Sequence, residues 1–450
     1  MVLQCLVSAI LVLLGGTLAV GAEPSAAEEP AFTDAERELL EITTAYRRAE
    51  TTFFESIEDL PEEDLYAYAE QYPRHDPSVP FLEPLRDFER AHRGTPVGLL
   101  AGTEVLGVAA RCGDPRIEAV RHRRELLTIL PAYRDSDLLP RVLQSLAGGS
   151  NTWEALPLLD RLARDVDAPP TTRAMAKFVH AEIAIQARDA RPIFERRLAR
   201  SGTSDTPRAR AEKTLDRLAL DALPSPERAE ADATRGITYL EELARSDDGL
   251  RIPAYRAADE ARPETWPIVR FDPEGTKTQP LIRDRAAGEL FRERHLKVGR
   301  PAPDLAVDLL DGTKWSLADQ KGRTVVIQFS FTGCGGCEQM YPTLAAIAKD
   351  YGDRVSVLTV MSDRDRADTV AAVESGKITW HVTWEAGRGP VTLGWGVSGF
   401  PSVYVIDRDG RIANAVDLAL DEIRPRIEEL VGPSGPTPPA ASTAGPHQNE

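Results

Sequence analysis

Two cysteines separated by two residues, Cys334-Gly335-Gly336-Cys337, are the residues of this 450-residue chain best suited to do chemistry. At that spacing both sulfurs fall in the first turn of a helix, so one can attack a disulfide as a thiolate and the other can displace the mixed disulfide that results. The flanking residues predict such a helix start. Thr324 to Phe331 carries Val325, Val326, Ile327, Phe329 and Phe331, a β-branched and aromatic run suited to a strand buried on both faces. After the cysteines, Met340, Leu344, Ile347 and Ala348 recur with helical period as far as Tyr351. At the junction, unpaired backbone N–H groups and the positive end of the helix dipole favour the thiolate of Cys334, lowering its pKa from about 8.5. Two glycines in a first turn each cost up to about 1 kcal/mol relative to alanine. They leave an open approach to Cys334.

The elements around this junction continue an α/β pattern. Val355 to Val360 reads as a strand, Arg366 to Glu374 as a helix and Ile378 to Trp384 as extended chain. After Gly399-Phe400-Pro401 come Val403, Tyr404, Val405 and Ile406, then Asp407-Arg408-Asp409-Gly410, then Arg411 to Val416. Asp-Gly between two apolar runs predicts a hairpin turn. A final helix is expected over Asp421 to Leu430.

In this order the segment resembles the TlpA/ResA branch of the thioredoxin superfamily, periplasmic redoxins related to the peroxide-reducing redoxins. Gly299-Arg300-Pro301-Ala302-Pro303-Asp304 resembles the family's opening motif. Asp311-Gly312 through Ser316-Leu317 and Lys321-Gly322 resemble its first hairpin, and Gly399-Phe400-Pro401 its cis-proline loop. The resemblance implies a thioredoxin fold over residues 296–431 and Cys334 and Cys337 as the catalytic pair and redox-active disulfide. It also implies a cis Phe400-Pro401 peptide beside Cys334, and client binding by Gly399, Phe400 and Pro401 through backbone pairing. The implied activity is disulfide exchange with protein clients, as a reductant recharged by a membrane electron donor.

Three positions depart from the family. Gly333 stands where a Trp usually precedes the first cysteine, Gln328 where thioredoxins carry a buried Asp, and Met340 where TlpA/ResA-like proteins often carry a Glu, while Pro342 remains. Neither customary proton acceptor for Cys337 is present, which leaves water or a nearby carboxylate, Glu338 or Glu385, against the simpler reading of both as solvated surface groups. The missing carboxylates also support an alternative: a helical scaffold or partner-binding protein with a degenerate redoxin domain. A zinc or copper site would need more ligands, and His381 is the only histidine in this segment, so no metal and no other cofactor is expected. Peroxiredoxin chemistry is excluded by Ile327 and Phe331, which stand where that motif has Pro and Thr.

The rest of the chain predicts a multidomain protein, with an all-α helical array, bundle or solenoid, over residues 31–245. Thr33-Asp34-Ala35-Glu36 has the pattern of a reciprocal helix cap, followed by Leu39, Ile42, Tyr46, Ala49, Phe53 and Ile57 on one face, closed by Pro61. Further helical segments begin at Asp114-Pro115 and Asn151-Thr152-Trp153-Glu154 and cover Thr172 to Ala187 and Ser225 to Ala244. Breaks fall at Gly148-Gly149-Ser150 and Ala168-Pro169-Pro170. Residues 246–295, rich in proline, are expected to connect the two domains irregularly, with helix returning over Leu281 to Leu296. Residues 432–450 are expected to be disordered.

Residues 1–22 carry no charged side chain, run apolar from Leu6 to Leu14 and end Val20-Gly21-Ala22, which predicts a signal peptide cleaved after Ala22, with 23–30 as a linker. The chain is therefore expected in the periplasm or cell envelope, at a membrane only if that segment is retained as an anchor. Cys5 would be removed with it, and Cys112 reads as a small buried residue. A formal net charge of −17 argues against nucleic acid and anionic lipid as partners.

Overall fold

The helical array begins at the cap the sequence predicts. In the computed structural model, which describes residues 32–57, 77, 79–109, 124–147, 152–200, 213, 216–217, 220–262, 265–397, 399–415 and 420–431, the Thr33 amide donates to Glu36 Oε2 at 2.8 Å and the Glu36 amide to Thr33 Oγ1 at 3.1 Å. Helix α1 (Asp34–Ile57) follows, burying Leu39 and Tyr46. The expected signal segment, its linker, Cys5, Cys112, the helix start at Asp114-Pro115, the breaks at Pro61 and Gly148-Gly149-Ser150 and the tail from Gly432 lie outside the described residues.

Helices α2 (Leu82–Ala91), α3 (Pro96–Ala109), α4 (Leu139–Ala147), α5 (Leu156–Arg164), α6 (Pro170–Arg200) and α7 (Pro226–Ala244) continue the array. Pro170, read as part of a break, opens α6, where its missing N–H is no loss. Ser225 caps α7 through its hydroxyl, which accepts from the Arg228 amide. The long α6 runs against α4, α5 and α7, so its apolar residues Met175, Phe178, Val179, Ile183 and Ala184 are buried on several sides.

The proline-rich stretch is more regular than its composition suggests. Strands β1 (Ala254–Ala257) and β2 (Val269–Asp272) pair antiparallel, and Tyr255 packs on Phe271. Helix α8 (Ile282–His295) buries Ile282, Ala286 and Leu290 in the same core as the helical array. Pairing across a long loop lets prolines sit beside the strands rather than in them, which local composition does not reveal.

From Leu296 the core changes. A hairpin of β3 (Ala306–Asp308) and β4 (Lys314–Ser316) turns at Gly312 and precedes a five-stranded sheet. The sheet contains β5 (Thr324–Ser330), β6 (Val355–Met361), β7 (His381–Trp384), β8 (Ser402–Ile406) and β9 (Ile412–Ala415), in the order β7-β6-β5-β8-β9. The first three strands are parallel and the last two antiparallel. Every residue of β5 is buried: Val325, Ile327 and Phe329 face one layer with Trp315, Trp395 and Tyr404, and Val326 faces the other. That second layer is built by α9 (Gly335–Tyr351) through Met340, Leu344 and Ile347, and by α12 (Leu420–Val431) through Ile423 and Ile427. Helices α10 (Arg366–Glu374) and α11 (Pro390–Gly394) complete the unit. The chain is thus an all-α helical region followed by an α/β thioredoxin fold. Among the described residues no helix is long and apolar enough to cross a membrane.

One buried group makes the helical region pH-sensitive. His180, 1% exposed on α6, stands edge-on to Tyr239. Burial pushes its pKa down from 6.5 to about 4, against the opposing charges of Asp160 and Asp232. The unfolded chain therefore binds a proton between those values that the folded chain refuses, so stability is full above 6.5 and falls as pH drops toward 4. Urea unfolding should show the wild type losing ~2 kcal/mol more than a His180→Phe variant between about pH 7.5 and pH 5. Parallel pH curves for the two proteins would exclude the effect.

Candidate redox site

The two cysteines meet where β5 ends and α9 begins, because a strand buried on both faces must leave the sheet at its carboxyl edge. Phe331 O accepts the Cys334 amide at 3.2 Å, closing a turn through Gly333. Gly333 has φ +84°, a left-handed conformation that side chains rarely adopt. The replacement of the customary Trp by glycine thus has a local backbone reason. Cys334 caps α9, its sulfur accepting the Cys337 amide at 3.3 Å, and is bonded to Cys337 with Cα atoms 5.2 Å apart. Cys334 keeps 8% of its surface exposed and Cys337 none, so of the two residues only Cys334 has any surface in contact with solvent.

The Gly399-Phe400-Pro401 loop lies beside them. The Phe400-Pro401 peptide is cis, and a Cβ built on Gly336 would come 3.3 Å from Pro401 Cδ. Gly336 therefore keeps the proline ring close to the helix start, whereas Gly335 faces open space. Of the two glycines, only one leaves an approach open; the other permits a close contact. Phe400 stands edge-on to Phe331 with ring centroids 5.4 Å apart, and Gly399 is exposed. The structure thus brings Cys334, Cys337, Phe400 and Pro401 into one edge.

The candidate proton acceptors are placed differently from one another. Glu385 accepts the amides of Val391 at 2.9 Å and Thr392 at 2.8 Å, and the Thr392 hydroxyl, so it caps α11. Glu338 accepts the Gly333 amide at 3.1 Å and pairs with Lys377 at 3.5 Å, beside the turn that carries Cys334. Gln328, fully buried, donates to Cys337 O at 3.3 Å and accepts from Thr359 Oγ1, which in turn accepts from Trp380 Nε1 at 2.9 Å. A neutral amide in this chain orders the Cys337 backbone and takes no proton.

Asp363 is a site residue that sequence reasoning overlooks. Its carboxylate accepts the Thr332 amide at 2.7 Å, the Thr332 hydroxyl at 3.1 Å and the Thr369 hydroxyl at 2.5 Å, fixing the residue two before Cys334. The only local signal is an acidic residue just past the carboxyl end of a buried strand, where α/β sheets place their functional groups.

A redox-active cysteine pair in a thioredoxin-like fold is the class that this geometry defines. Comparison with known proteins agrees. Residues 297–422 match the Redoxin family. The thioredoxin-like protein YneN of Bacillus subtilis is 27% identical over 124 residues, 27% of this chain and 72% of that protein. The thiol-disulfide oxidoreductase ResA of Bacillus thuringiensis subsp. konkukian is 26% identical over 146 residues, 32% of this chain and 82% of that protein. The thioredoxin domain of a thiol-disulfide oxidoreductase from Bacteroides vulgatus is 28% identical, covering 30% of this chain and 98% of that domain, with a TM-score of 0.28. By the Redoxin match and the two Bacillus relatives, the C-terminal region resembles the ResA/TlpA group at low identity.

Proposed function

We propose that this chain is an exported thiol-disulfide oxidoreductase that reduces disulfides in protein clients. The observation that carries the reading is the bonded Cys334–Cys337 pair at a helix N-terminus, the first residue slightly exposed and the second fully buried. In the reduced form, the Cys334 thiolate attacks a client disulfide. One client sulfur leaves as a thiolate, and the other is bonded to Cys334. Cys337, losing its proton, then attacks Cys334, releasing the second client thiolate and forming the Cys334–Cys337 bond. The Cys337 amide and the helix dipole point at the Cys334 sulfur and favour its thiolate. Gly399, Phe400 and Pro401 offer the client an extended edge. Two electrons from a membrane donor, as the TlpA/ResA resemblance implies, would restore the dithiol.

Gln328 in place of an acid supports a second reading, a partner-binding protein whose redoxin domain no longer turns over. The two separate in one assay. Reduction of a disulfide-bonded peptide by dithiothreitol should be accelerated by the full chain at least about 100-fold over the Cys334→Ser/Cys337→Ser double variant. Equal rates would establish the non-catalytic reading.

A further inference from the structure

Between the redox site and the helical array lies a cluster of charge that thiol chemistry does not use. Glu182 comes from α6, Arg285, Glu289 and Arg292 from α8, and Arg388 from the loop between β7 and α11. Arg285 reaches Glu182 at 4.0 Å, Arg292 pairs with Glu289, and the Arg388 charge feels Arg285, Glu182 and Glu289. The side chains of Glu182, Arg285 and Glu289 are only 11%, 10% and 2% exposed. Burial raises both carboxyls above the ordinary carboxylate range, Glu182 further through the charge of Glu289, and the arginines oppose the rise. Burial, and then the charge of Arg285, lowers Arg388 to about 10.

Buried ion pairs add little stability over apolar packing of the same shape, and their best-attested use is to fix one arrangement of the elements they join. Here the arrangement is visible. Arg285 Nη1 donates to Val397 O at 3.0 Å, and Arg388 Nη1 donates to the same oxygen at 2.5 Å. The Arg388 guanidinium also covers the Phe400 ring, 5.4 Å from its centroid. The backbones come close enough for this because Gly288 on α8 faces the loop. A Cβ there would lie 2.4 Å from Leu393 O, and one on Gly396, which has φ +60°, would lie 2.4 Å from Gly288 O. The helical region thus holds the Val397 carbonyl through Arg285, and Arg388, bound to the same oxygen, covers the Phe400 ring that follows it in the cis-proline loop.

We propose that Arg285 and Arg388 are positioning residues through which the helical region sets the client-binding edge at Phe400-Pro401, with Glu182 paired to Arg285 and the charges of Glu182 and Glu289 balancing the two buried guanidiniums. The catalytic consequence rests on the thiol-disulfide reading; the mechanical coupling does not. A charge removed from α6 therefore acts on a loop to which Glu182 itself does not belong.

The test uses the full chain at about pH 8.5, above the value of about 7 to which burial raises Glu182, with Glu182→Gln, close to isosteric, and Arg388→Met. Hydrogen–deuterium exchange is followed over residues 395–404, together with steady-state reduction of a disulfide-bonded peptide and direct reduction of the Cys334–Cys337 bond by dithiothreitol. Glu182→Gln should raise exchange over 395–404 and the peptide KM about ten-fold each, while kcat and the direct reduction stay within about two-fold. Arg388→Met should give the same exchange response, and Arg388→Lys, which keeps the charge and a donor, should restore part of the protection. Unchanged exchange in Glu182→Gln overturns the proposal, even if Arg388→Met does not fold. An increase spread evenly over the whole redoxin domain overturns it too, because it marks general loss of packing. A wild type that reduces no peptide, with the local exchange response intact, removes the redox reading and upholds the coupling.

Discussion

Cys337→Ser should accumulate a covalent complex with a disulfide-bonded client, and Cys334→Ser should accumulate none. The difference follows from burial rather than from the pair's symmetry in sequence. Cys334 caps α9 and keeps 8% of its surface exposed, while Cys337 has no exposed surface. A client sulfur can therefore reach only the first. With Cys337 gone, the mixed disulfide on Cys334 has no internal thiol to resolve it and persists until an external thiol arrives. With Cys334 gone, the remaining thiol is enclosed and out of a client's reach. On a non-reducing gel with a labelled peptide, trapping should differ at least about 100-fold between the variants, and turnover should fall by about 10³ in each. Equal trapping by both would contradict the assigned roles.

Asp363→Ala should destabilise the redoxin domain by ~3 kcal/mol, because a buried carboxylate with three donors is lost and those donors are left without it. Asp363 is 5% exposed and holds Thr332 by both its amide and its hydroxyl, and Thr369 by its hydroxyl. The Ser362 amide donates to Ser330 O at 2.8 Å, so the carboxylate acts at the point where the β5–β6 pairing ends and the turn carrying Cys334 begins. Loss of the anchor should also slow peptide reduction about ten-fold, since the Thr332-to-Cys334 turn loses its fixed geometry. Asp363→Asn keeps one acceptor oxygen and should lose ~1 kcal/mol. Urea unfolding measures the first effect and the peptide assay the second. A loss below ~0.5 kcal/mol in Asp363→Ala would exclude this role.

Much of the redoxin domain is legible in order along the chain. Val325 to Phe329 identify a doubly buried strand, Met340 to Ile347 an apolar helix face, and Asp409-Gly410 the hairpin whose Gly410 has φ +77°. These are local signals, set by period and turn chemistry within a few residues. Thr33 and Glu36 are legible for the same reason, since a capping box joins residues three apart. The strands β1 and β2 were harder to see. Their register pairs Ala254 with Asp272, residues 18 apart, while the sequence nearby shows Pro253, Pro267 and Pro273, and composition reports the prolines rather than the pairing.

By itself the sequence determined the chemistry on offer: two sulfurs in one helical turn, preceded by a strand and followed by a Phe-Pro step, in an order that resembles one redoxin branch. Only the tertiary structure decided which cysteine keeps exposed surface, that Gly336 admits Pro401, that Glu385 is a helix cap, and that Asp363 and Arg388 reach the site from other elements. The physical reason is range. Periodicity, capping and turn preferences act between neighbours along the chain, whereas exposure, ion pairing and close backbone contact arise when distant segments pack, and no spacing of residues encodes them directly.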